Sequence, residues 1–352
     1  MAKAKILPVC KDIGAANVVG PIVRELLGMQ AGHEIIPVIE GLGGKQWLEL
    51  WGRPVFQGTE DYKTMPFSLD VEAVINHYRP DVIILGESSP NNLEEEFAWA
   101  AQQYDIPLVL VEDFWGGFVR ITGLTKSPEL ILTLDDYAVQ LAKEEFSDSH
   151  IIVTGNPGVR RSVTDPAAQV MDLRRQGDFV VTLCGGGPET AEQIELLLKC
   201  LSMTSADWRL IPRWHPKEAN RPDPENRNRP YHEIWDALLA PFGERVVRVG
   251  GPPDNVVVAS NLVCSGYSTL LTTTVQAGVV AVSLVTPQVQ QNLEAESAAR
   301  EMPHVALGVA HRVDTPLDLA QLQPCSEGAR ARLKPFDPAV GAAAIEALLE
   351  GC

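Results

Sequence analysis

The chain has 352 residues, of which 45% are hydrophobic and 21% are charged, the balance of a globular protein with a sizeable core. Its 29 basic and 46 acidic side chains give a formal net charge of -17, which would repel a phosphate polymer, so nucleic-acid binding is not expected. At about 150 residues per domain, this length predicts two domains.

The N-terminal sequence MAKAKILPVCKDIG lacks the apolar core of a signal peptide, and no apolar run reaches the length of a membrane span. The six cysteines are scattered, without a CxxC pair or a Cys/His cluster at metal spacing. We therefore expect a cytoplasmic protein with reduced thiols, no membrane span and no bound metal.

Short apolar runs alternate with longer amphipathic stretches along the chain, which is typical of strands and crossover helices in a doubly wound parallel sheet. Two stretches of the first half predict helices, VVGPIVRELL and NNLEEEFAWAAQQYD, the second with a solvated acidic start at Glu94, Glu95 and Glu96. The same half predicts five or six strands: KILPVC, EIIPVIE, DVIILGE, PLVLVED, LILTLDD and IIVTGNP.

Small residues form the turn DIGAAN, residues 12–17, between the first strand and its helix. Such a turn lets a ligand approach backbone N–H groups, and we expect Asp12, Gly14 and Asn17 to contact a sugar or an acceptor. Tight packing of strand against helix explains these residues equally well. The turn is not GxGxxG, so a dinucleotide is not expected.

Two carboxylates end neighbouring predicted strands, Glu87 after DVIILG and Glu112 after PLVLV, with Asp113 beside the second. The carboxyl ends of parallel strands meet at one edge of a sheet, where ligands bind. Burial and mutual repulsion there would raise one pKa enough for acid/base work. Solvated loop positions are the alternative interpretation.

A polar, proline-rich stretch at 155–178 separates the halves, and we predict domains at 1–160 and 161–352. The C-terminal helix PAVGAAAIEALLEG could pack on either domain. Residues 217–232 predict a polar loop. The second half predicts further strands: DFVVTLC, WRLIP, ERVVRVG, NLVC and VVAVSLV.

Three glycines, Gly185, Gly186 and Gly187, follow the first strand of the second half. They allow close approach of an anion, and Pro188 suits the first helical position. A diphosphate is therefore the expected ligand. A plain flexible turn is the alternative. Without a following GKS or GKT the stretch is not a P-loop.

A basic cluster follows the next strand, in which Arg213 and Lys217 flank His215. A histidine held by a following proline can donate to a phosphate oxygen or a sugar hydroxyl, although a lone histidine is more often structural. The stretch Ser265, Gly266, Tyr267, Ser268 and Thr269 opens a helix and offers hydroxyls and amides to an anion. N-capping by Ser268 accounts for one serine of that stretch.

Amide side chains follow the last predicted strand, at Gln288, Gln290, Gln291 and Asn292. In a loop they could bind sugar hydroxyls, and a polar helix entry is the alternative.

The order of these motifs resembles the GT-B superfamily, which contains UDP-N-acetylglucosamine 2-epimerases and bacterial glycosyltransferases. The likeness spans nearly the whole chain and rests on five segments: DVIILGESSPNNLEEEFAWAAQQYDIPLVLVED, IIVTGNPGVR, RWHP, CSGYSTLLTTTVQAG and QQNLEAES. The resemblance implies two Rossmann-like parallel-sheet α/β domains facing a central cleft. It also implies catalytic roles for Glu87, Glu112 and His215.

The motifs and the resemblance together predict which residues bind the substrates, with no cofactor or metal. The nucleotide and its phosphates are expected at Gly185, Gly186, Gly187, Arg213, Ser265, Tyr267, Ser268 and Thr269. The sugar and acceptor are expected at Asp12, Gly14, Asn17, Gln291 and Asn292.

The chain departs from the family pattern in three places. Thr272, Thr273 and Thr274 stand where an acidic residue usually holds the nucleotide ribose. Thr182-Leu183-Cys184-Gly185 replaces the Thr-x-His-Arg element of epimerases, and Gly278-Val279-Val280 replaces Gly-Lys-Pro. These changes weaken ribose recognition and epimerase chemistry.

The sequence therefore predicts a metal-independent glycosyltransferase that binds a nucleotide-diphosphate sugar mainly through the second domain and an unknown acceptor through the first. A 2-epimerase or sugar-nucleotide hydrolase is the first alternative. A non-catalytic sugar-nucleotide-binding partner subunit is the second. A homodimer is an open alternative to a monomer.

Overall fold

A computed structural model describes residues 3–29, 32–39, 47, 70–88, 93–159, 165–215, 221–223 and 226–351. The chain divides into two compact units. The first comprises Met1–Pro157, Glu296–Ala298 and Lys334–Cys352. The second comprises Gly158–Ala295 and Ala299–Leu333.

The described strands form one parallel sheet in each unit and a small hairpin in the second. They are β1 (Lys5–Cys10), β2 (Glu34–Ile35), β3 (Val38–Ile39), β4 (Val82–Leu85), β5 (Leu108–Val111), β6 (Leu130–Thr133), β7 (His150–Val153), β8 (Phe179–Gly185), β9 (Trp208–Trp214), β10 (Pro222–Asp223), β11 (Arg229–Pro230), β12 (Leu262–Ser265), β13 (Val280–Leu284) and β14 (His311–Val313).

The described helices lie before, between and after these strands. They are α1 (Ile13–Gly28), α2 (Val71–Tyr78), α3 (Leu93–Gln103), α4 (Asp136–Glu145), α5 (Ala168–Arg175), α6 (Thr190–Met203), α7 (Tyr231–Leu239), α8 (Pro253–Ala259), α9 (Leu270–Gln276), α10 (Pro287–Glu296), α11 (Pro303–Ala306), α12 (Glu327–Arg330) and α13 (Pro338–Gly351), with 3-10 turns at Gly117–Arg120, Ala240–Arg245 and Leu319–Gln321. None of these helices is long and apolar enough to span a membrane.

The sheet of the first unit runs in the order β2-β1-β4-β5-β6-β7, and β3 also pairs with β1. All of these pairs are parallel. The predicted single strand at 34–40 is wrong, since two short strands replace it on either side of Pro37, which has no N–H to donate.

Helix α1 begins at Ile13, five residues earlier than the sequence predicted. The Asp12 side chain caps it by accepting from the Ala15 amide at 2.9 Å. The C-terminal helix α13 belongs to the first unit, where Ala342 and Ile345 join the core that contains Ile22 of α1.

The sheet of the second unit runs in the order β14-β13-β12-β8-β9, with all neighbours parallel. The predicted strand ERVVRVG is wrong. A 3-10 turn occupies residues up to Arg245, and only Val246 forms an isolated bridge, to Leu210. Strand β14 was not predicted from the sequence.

The predicted polar loop at 217–232 contains the antiparallel pair β10 and β11 and the start of α7. Residues 216–220 and 224–225 lie outside the described residues, and Lys217 is among them. The interpretation of Pro188 as a first helical residue is wrong, because α6 begins at Thr190 after a turn.

Candidate functional site

A cluster of carboxyl groups lies at the carboxyl ends of β4 and β5, which are neighbours in the first sheet. Glu87 follows β4 and Glu112 follows β5. Glu87 is fully buried and Glu112 is 1% exposed. The alternative interpretation, that these residues are solvated, is therefore wrong.

The carboxyl group of Glu87 is fully buried, and Arg120 is the cation that acts on it. Neither of its oxygens forms a hydrogen bond of good geometry with a described residue, although the nearby Asp113 amide slightly lowers its pKa. Burial, followed by repulsion from Glu112 and Asp113, raises the pKa of Glu87 well above its usual range. A Cβ added at Gly117 would lie 2.4 Å from Glu87 Oε2, so the glycine provides the space for this carboxyl.

Glu112 is held by one hydrogen bond, from the Gly116 amide to Oε1 at 3.0 Å. Burial raises its pKa well above the usual range, and repulsion from Asp135 and Asp113 adds to the rise. Burial likewise raises the pKa of Asp113 to about 7, while Arg120 opposes the rise. The cluster thus contains two carboxyls whose pKa values are raised well above the usual range beside one whose pKa is about 7.

Residues 296–298 hold the loop that closes over this cluster. The Ser297 hydroxyl donates to the Trp115 carbonyl at 2.6 Å, and the Ala298 amide donates to the Gly116 carbonyl at 3.0 Å. Arg120 Nε donates to the Glu296 carbonyl at 3.1 Å. These bonds keep the loop from Trp115 to Arg120 beside Glu87 and Glu112.

The predicted turn at 12–17 is the capped start of α1 rather than an open loop. Asp113 lies against Gly14, where an added Cβ would be 1.9 Å from Asp113 Oδ2. Asn17 is exposed on α1. Close packing thus explains Gly14, and the acidic surroundings disfavour an anion here. Sugar or acceptor binding by Asp12, Gly14 and Asn17 stays a prediction.

The sequence interpretation of Glu94 as a solvated residue is wrong. Its side chain is fully buried, and Oε1 accepts from the Lys11 amide at 3.0 Å and from the Ser88 hydroxyl. Burial raises the pKa of Glu94 to about 7, against the lowering effect of these hydrogen bonds. A charged triplet at a helix start did not reveal which member faces inward.

In the second unit, three predicted motifs follow the neighbouring strands β9, β8 and β12. The His215 amide donates to the Gly185 carbonyl at 2.9 Å. Ser265 Oγ donates to the Cys184 carbonyl at 2.8 Å. The glycine triplet, the histidine and the hydroxyl-rich helix start therefore share one edge of this sheet, as the strand order requires.

The glycine turn contains a carboxylate that sequence reasoning did not single out. Glu189 is 6% exposed, and its Oε2 accepts from Asn292 Nδ2 at 2.9 Å. A Cβ at Gly187 would lie 2.4 Å from that same Oε2, and the Gly186 amide donates to Thr190 Oγ1 at 3.1 Å. This acidic side chain makes the turn less suited to a diphosphate than predicted.

The Arg213 side chain forms two hydrogen bonds to backbone carbonyls of the second unit. Its Nη1 donates to the Val249 carbonyl at 2.5 Å and its Nη2 to the Gly251 carbonyl at 2.7 Å. The exposed His215 lies two residues further along the chain. The guanidinium therefore fastens the segment that replaces the predicted strand ERVVRVG.

The interpretation of Ser268 as the N-cap is wrong, because Thr269 is the N-cap of α9, although Ser268 Oγ accepts from the Leu270 amide at 3.2 Å just before the helix. Tyr267 is half-buried and Thr269 is exposed beside it. The three threonines at the usual ribose position are buried in α9. Their hydroxyls bond within the unit, to His304, Asp254 and the Leu270 carbonyl.

The predicted amide loop after β13 is helical, because Pro287 begins α10. Gln288 Nε2 donates to Asn292 Oδ1 at 2.9 Å, and Gln291 points to solvent. Asn292 thus orients Glu189, while a sugar contact by either Gln291 or Asn292 stays a prediction. Within the described part of the chain, no group of three His, Cys, Asp or Glu side chains could hold a metal ion.

The two parallel-sheet units define a two-domain Rossmann-like α/β protein, and solved structures of GT-B enzymes share this fold with it. Comparisons with known protein families and with curated proteins find no match. The similarity to GT-B enzymes predicted from the sequence is confirmed at the level of the fold.

Three solved structures illustrate the similarity. A putative UDP-N-acetylglucosamine 2-epimerase from Listeria monocytogenes has a TM-score of 0.64 at 16% identity, covering 100% of this chain and 96% of that chain. The UDP-GlcNAc 2-epimerase from Neisseria meningitidis bound to UDP-GlcNAc scores 0.59 at 13% identity, with 98% and 100% covered. The lipopolysaccharide outer core galactosyltransferase WaaB scores 0.53 at 12% identity, with 99% and 100% covered.

Proposed function

We propose that this chain is an enzyme that acts on a nucleotide-diphosphate sugar and transfers the sugar to a hydroxyl group of an acceptor. The observation that carries the proposal is the buried carboxyl cluster of the first unit. Burial raises the pKa values of Glu87 and Glu112 well above their usual range, and the pKa of Asp113 is about 7. Such a cluster can both accept and return a proton during a reaction.

In the proposed transfer, a carboxylate of the cluster takes the proton from the acceptor hydroxyl. Asp113 is the favoured base, because its pKa of about 7 leaves part of it ionised at neutral pH, whereas burial raises the pKa values of Glu87 and Glu112 well above their usual range. The acceptor oxygen forms a bond to the anomeric carbon, and the bond from that carbon to the diphosphate oxygen breaks. The nucleoside diphosphate leaves with the electron pair.

The second unit is proposed to bind the leaving diphosphate along the edge formed by β9, β8 and β12. His215 and the helix start at Ser268 and Thr269 are the favoured contacts, since they can donate hydrogen bonds to phosphate oxygens. Because Glu189 places a carboxylate at the glycine turn, that turn is better suited to a sugar or ribose hydroxyl than to a diphosphate.

Titration calorimetry with UDP, other nucleoside diphosphates and their sugars tests the proposal directly. Binding of a diphosphate by the wild type, weakened in His215→Ala and unchanged in the exposed control His150→Ala, would support it. Release of the nucleoside diphosphate only when an acceptor is present would identify transfer. If no nucleotide diphosphate binds or raises the melting temperature at millimolar concentration, the proposal is wrong.

A 2-epimerase or sugar-nucleotide hydrolase is the second candidate. Two neighbouring protonatable carboxyls, Glu87 and Glu112, could remove a proton from one face of a sugar ring and return it to the other. The solved structures that resemble this chain include UDP-GlcNAc 2-epimerases. Incorporation of deuterium at C2 of the sugar in heavy water, without an acceptor, would favour this candidate over transfer.

A non-catalytic partner subunit is the third reading, and the threonines at the usual ribose position are its support. If Glu112→Gln and His215→Ala left product formation in cells unchanged while deletion of the protein abolished it, this reading would replace the enzymatic ones.

A further inference from the structure

We propose that Glu94 is a positioning residue that acts through the Ser88 hydroxyl to hold Glu87 in the carboxyl cluster. This inference deepens the proposed function, since Glu87 belongs to the proposed acid/base site. No family resemblance pointed to Glu94, which the sequence placed on a solvated helix start.

Hydrogen bonds join Glu94 and Ser88 to the chain that enters α1. Ser88 Oγ accepts from the Lys11 amide at 3.2 Å and from the Asp12 amide at 3.1 Å. Glu94 Oε1 accepts from the Lys11 amide at 3.0 Å and also receives the Ser88 hydroxyl hydrogen. The side chains of Ser88 and Glu94 are 1% and 0% exposed, so water does not replace these bonds easily.

Glu87 lies between two fixed neighbours. On its N-terminal side, the Gly86 amide donates to the Val9 carbonyl at 3.1 Å, and Gly86 packs on Ala15 so closely that an added Cβ would lie 2.4 Å from the Ala15 Cβ. On its other side is Ser88, anchored by Glu94. With both neighbours held, the Glu87 side chain is directed toward Gly117, which leaves room for it.

The charged groups near Glu87 and Glu94 determine how the pKa of Glu87 should change when Glu94 is replaced. Glu112 and Asp113 raise the pKa of Glu87, and Arg120 lowers it. Asp12 acts on Glu94. If Glu87 moves away from Glu112 and Asp113 toward solvent, its pKa should therefore fall toward the ordinary value. A merely structural role of Glu94 would lower stability without moving this pKa.

The test compares Glu94→Ala and Glu94→Gln with the exposed control Glu96→Ala. Glutamine keeps an oxygen that can accept from Lys11 and Ser88, whereas alanine does not. Infrared difference spectra over a pH series follow the protonated carboxyl of Glu87, which is assigned by its loss in Glu87→Gln. We expect the midpoint to fall by about one pH unit in Glu94→Ala and to stay unchanged in the glutamine and control variants.

Kinetics provide the second readout. In Glu94→Ala we expect kcat to fall by about tenfold, with KM for the nucleotide sugar unchanged and the pH profile of kcat shifted in the same direction as the infrared midpoint. Glu94→Gln should keep kcat within about threefold of the wild type. Ser88→Ala, which removes only the hydroxyl, should shift the infrared midpoint of Glu87 in the same direction. It replaces Glu94→Ala in the test if that variant does not fold.

An unchanged Glu87 midpoint in both Glu94→Ala and Ser88→Ala would overturn the inference, even if both variants melt at lower temperature. If the wild type shows no turnover with any nucleotide sugar, the proposed function fails, and the infrared series still decides the role of Glu94.

Discussion

Gly117 lies against the Glu87 carboxyl and leaves room for it because it has no side chain. It begins the 3-10 turn that Arg120 ends, and an added Cβ would come within 2.4 Å of Glu87 Oε2. Contacts this short do not occur without a shift of the side chain or of the turn.

We expect Gly117→Ala to displace the Glu87 carboxyl and to reduce kcat by about tenfold or more, with a loss of about 1–3 kcal/mol in the free energy of unfolding. Gly28→Ala is the matched control, since a Cβ there meets no atom within 4 Å and alanine favours the helix. Steady-state kinetics and urea unfolding measure both effects. If Gly117→Ala and Gly28→Ala had the same kcat and the same free energy of unfolding, the proposed close packing at Gly117 would be contradicted.

The raised pKa of Asp113 predicts a pH dependence of stability. Between its usual pKa of 3.8 and its folded value of about 7, the folded protein keeps a proton that the unfolded chain has lost. The contribution of Asp113 to stability therefore decreases as the pH rises through this window.

Asp113→Asn removes this titration. The free energy of unfolding of the wild type minus that of Asp113→Asn should fall between pH 4 and pH 7. Screening of this partly exposed side chain limits the fall to about 1–2 kcal/mol. Urea unfolding across the pH range measures it. A difference that rises with pH would mean that Asp113 is stabilised as a carboxylate in the folded protein.

At the scale of elements, the turn between β8 and α6 combines a helix N-terminus with an acidic side chain. The helix end favours an anion, whereas Glu189, held by Asn292, opposes it. The balance between these two effects decides which part of a nucleotide sugar the turn can accept.

Glu189→Gln should strengthen binding of UDP by about threefold to tenfold, because it removes a negative charge from the turn while keeping an acceptor for Asn292. Glu195→Gln, an exposed position further along α6, is the control and should change affinity little. Titration calorimetry with UDP at low and high salt measures the affinity of both variants. Weaker binding in Glu189→Gln would instead indicate that the carboxylate accepts hydrogen bonds from ribose or sugar hydroxyls.

The C-terminal helix α13 packs on the first unit through small and aliphatic side chains. Gly341 lies against Ile22 and Leu132, and Ile345 is fully buried. Ile345→Ala should cost about 2–4 kcal/mol in the free energy of unfolding, whereas Val340→Ala, at a 40% exposed position, should cost less than about 1 kcal/mol. Similar urea midpoints for the two variants would show that this packing contributes little.

At the scale of the whole molecule, the net charge of -17 acts on any anionic substrate before contact. We expect the association rate constant for UDP to rise from low to physiological ionic strength, because salt screens the overall repulsion. Uncharged uridine is the control and should show no such dependence. A rate constant for UDP that falls with salt, measured by stopped flow, would instead reveal a local positive field.

Much of the fold was predictable from the sequence because it depends on local periodicity. Short apolar runs between amphipathic stretches predicted parallel sheets, and turn residues placed Glu87, Glu112 and His215 at strand ends. The prediction of strands from the sequence was wrong at residues 34–40 and at ERVVRVG, residues 244–250. There the apolar pattern suited a strand, but Pro37 and the 3-10 turn before Val246 interrupted the ladder.

By itself, the sequence determined the alternation of strands and helices and the strand-end positions of the candidate groups, since these follow from the order of neighbouring residues. Only the tertiary structure decided that Glu94 is buried against Ser88, that Asn292 holds Glu189, and that α13 packs in the first unit. The physical reason is that the burial and partners of a charged group depend on residues far along the chain, which local patterns do not specify.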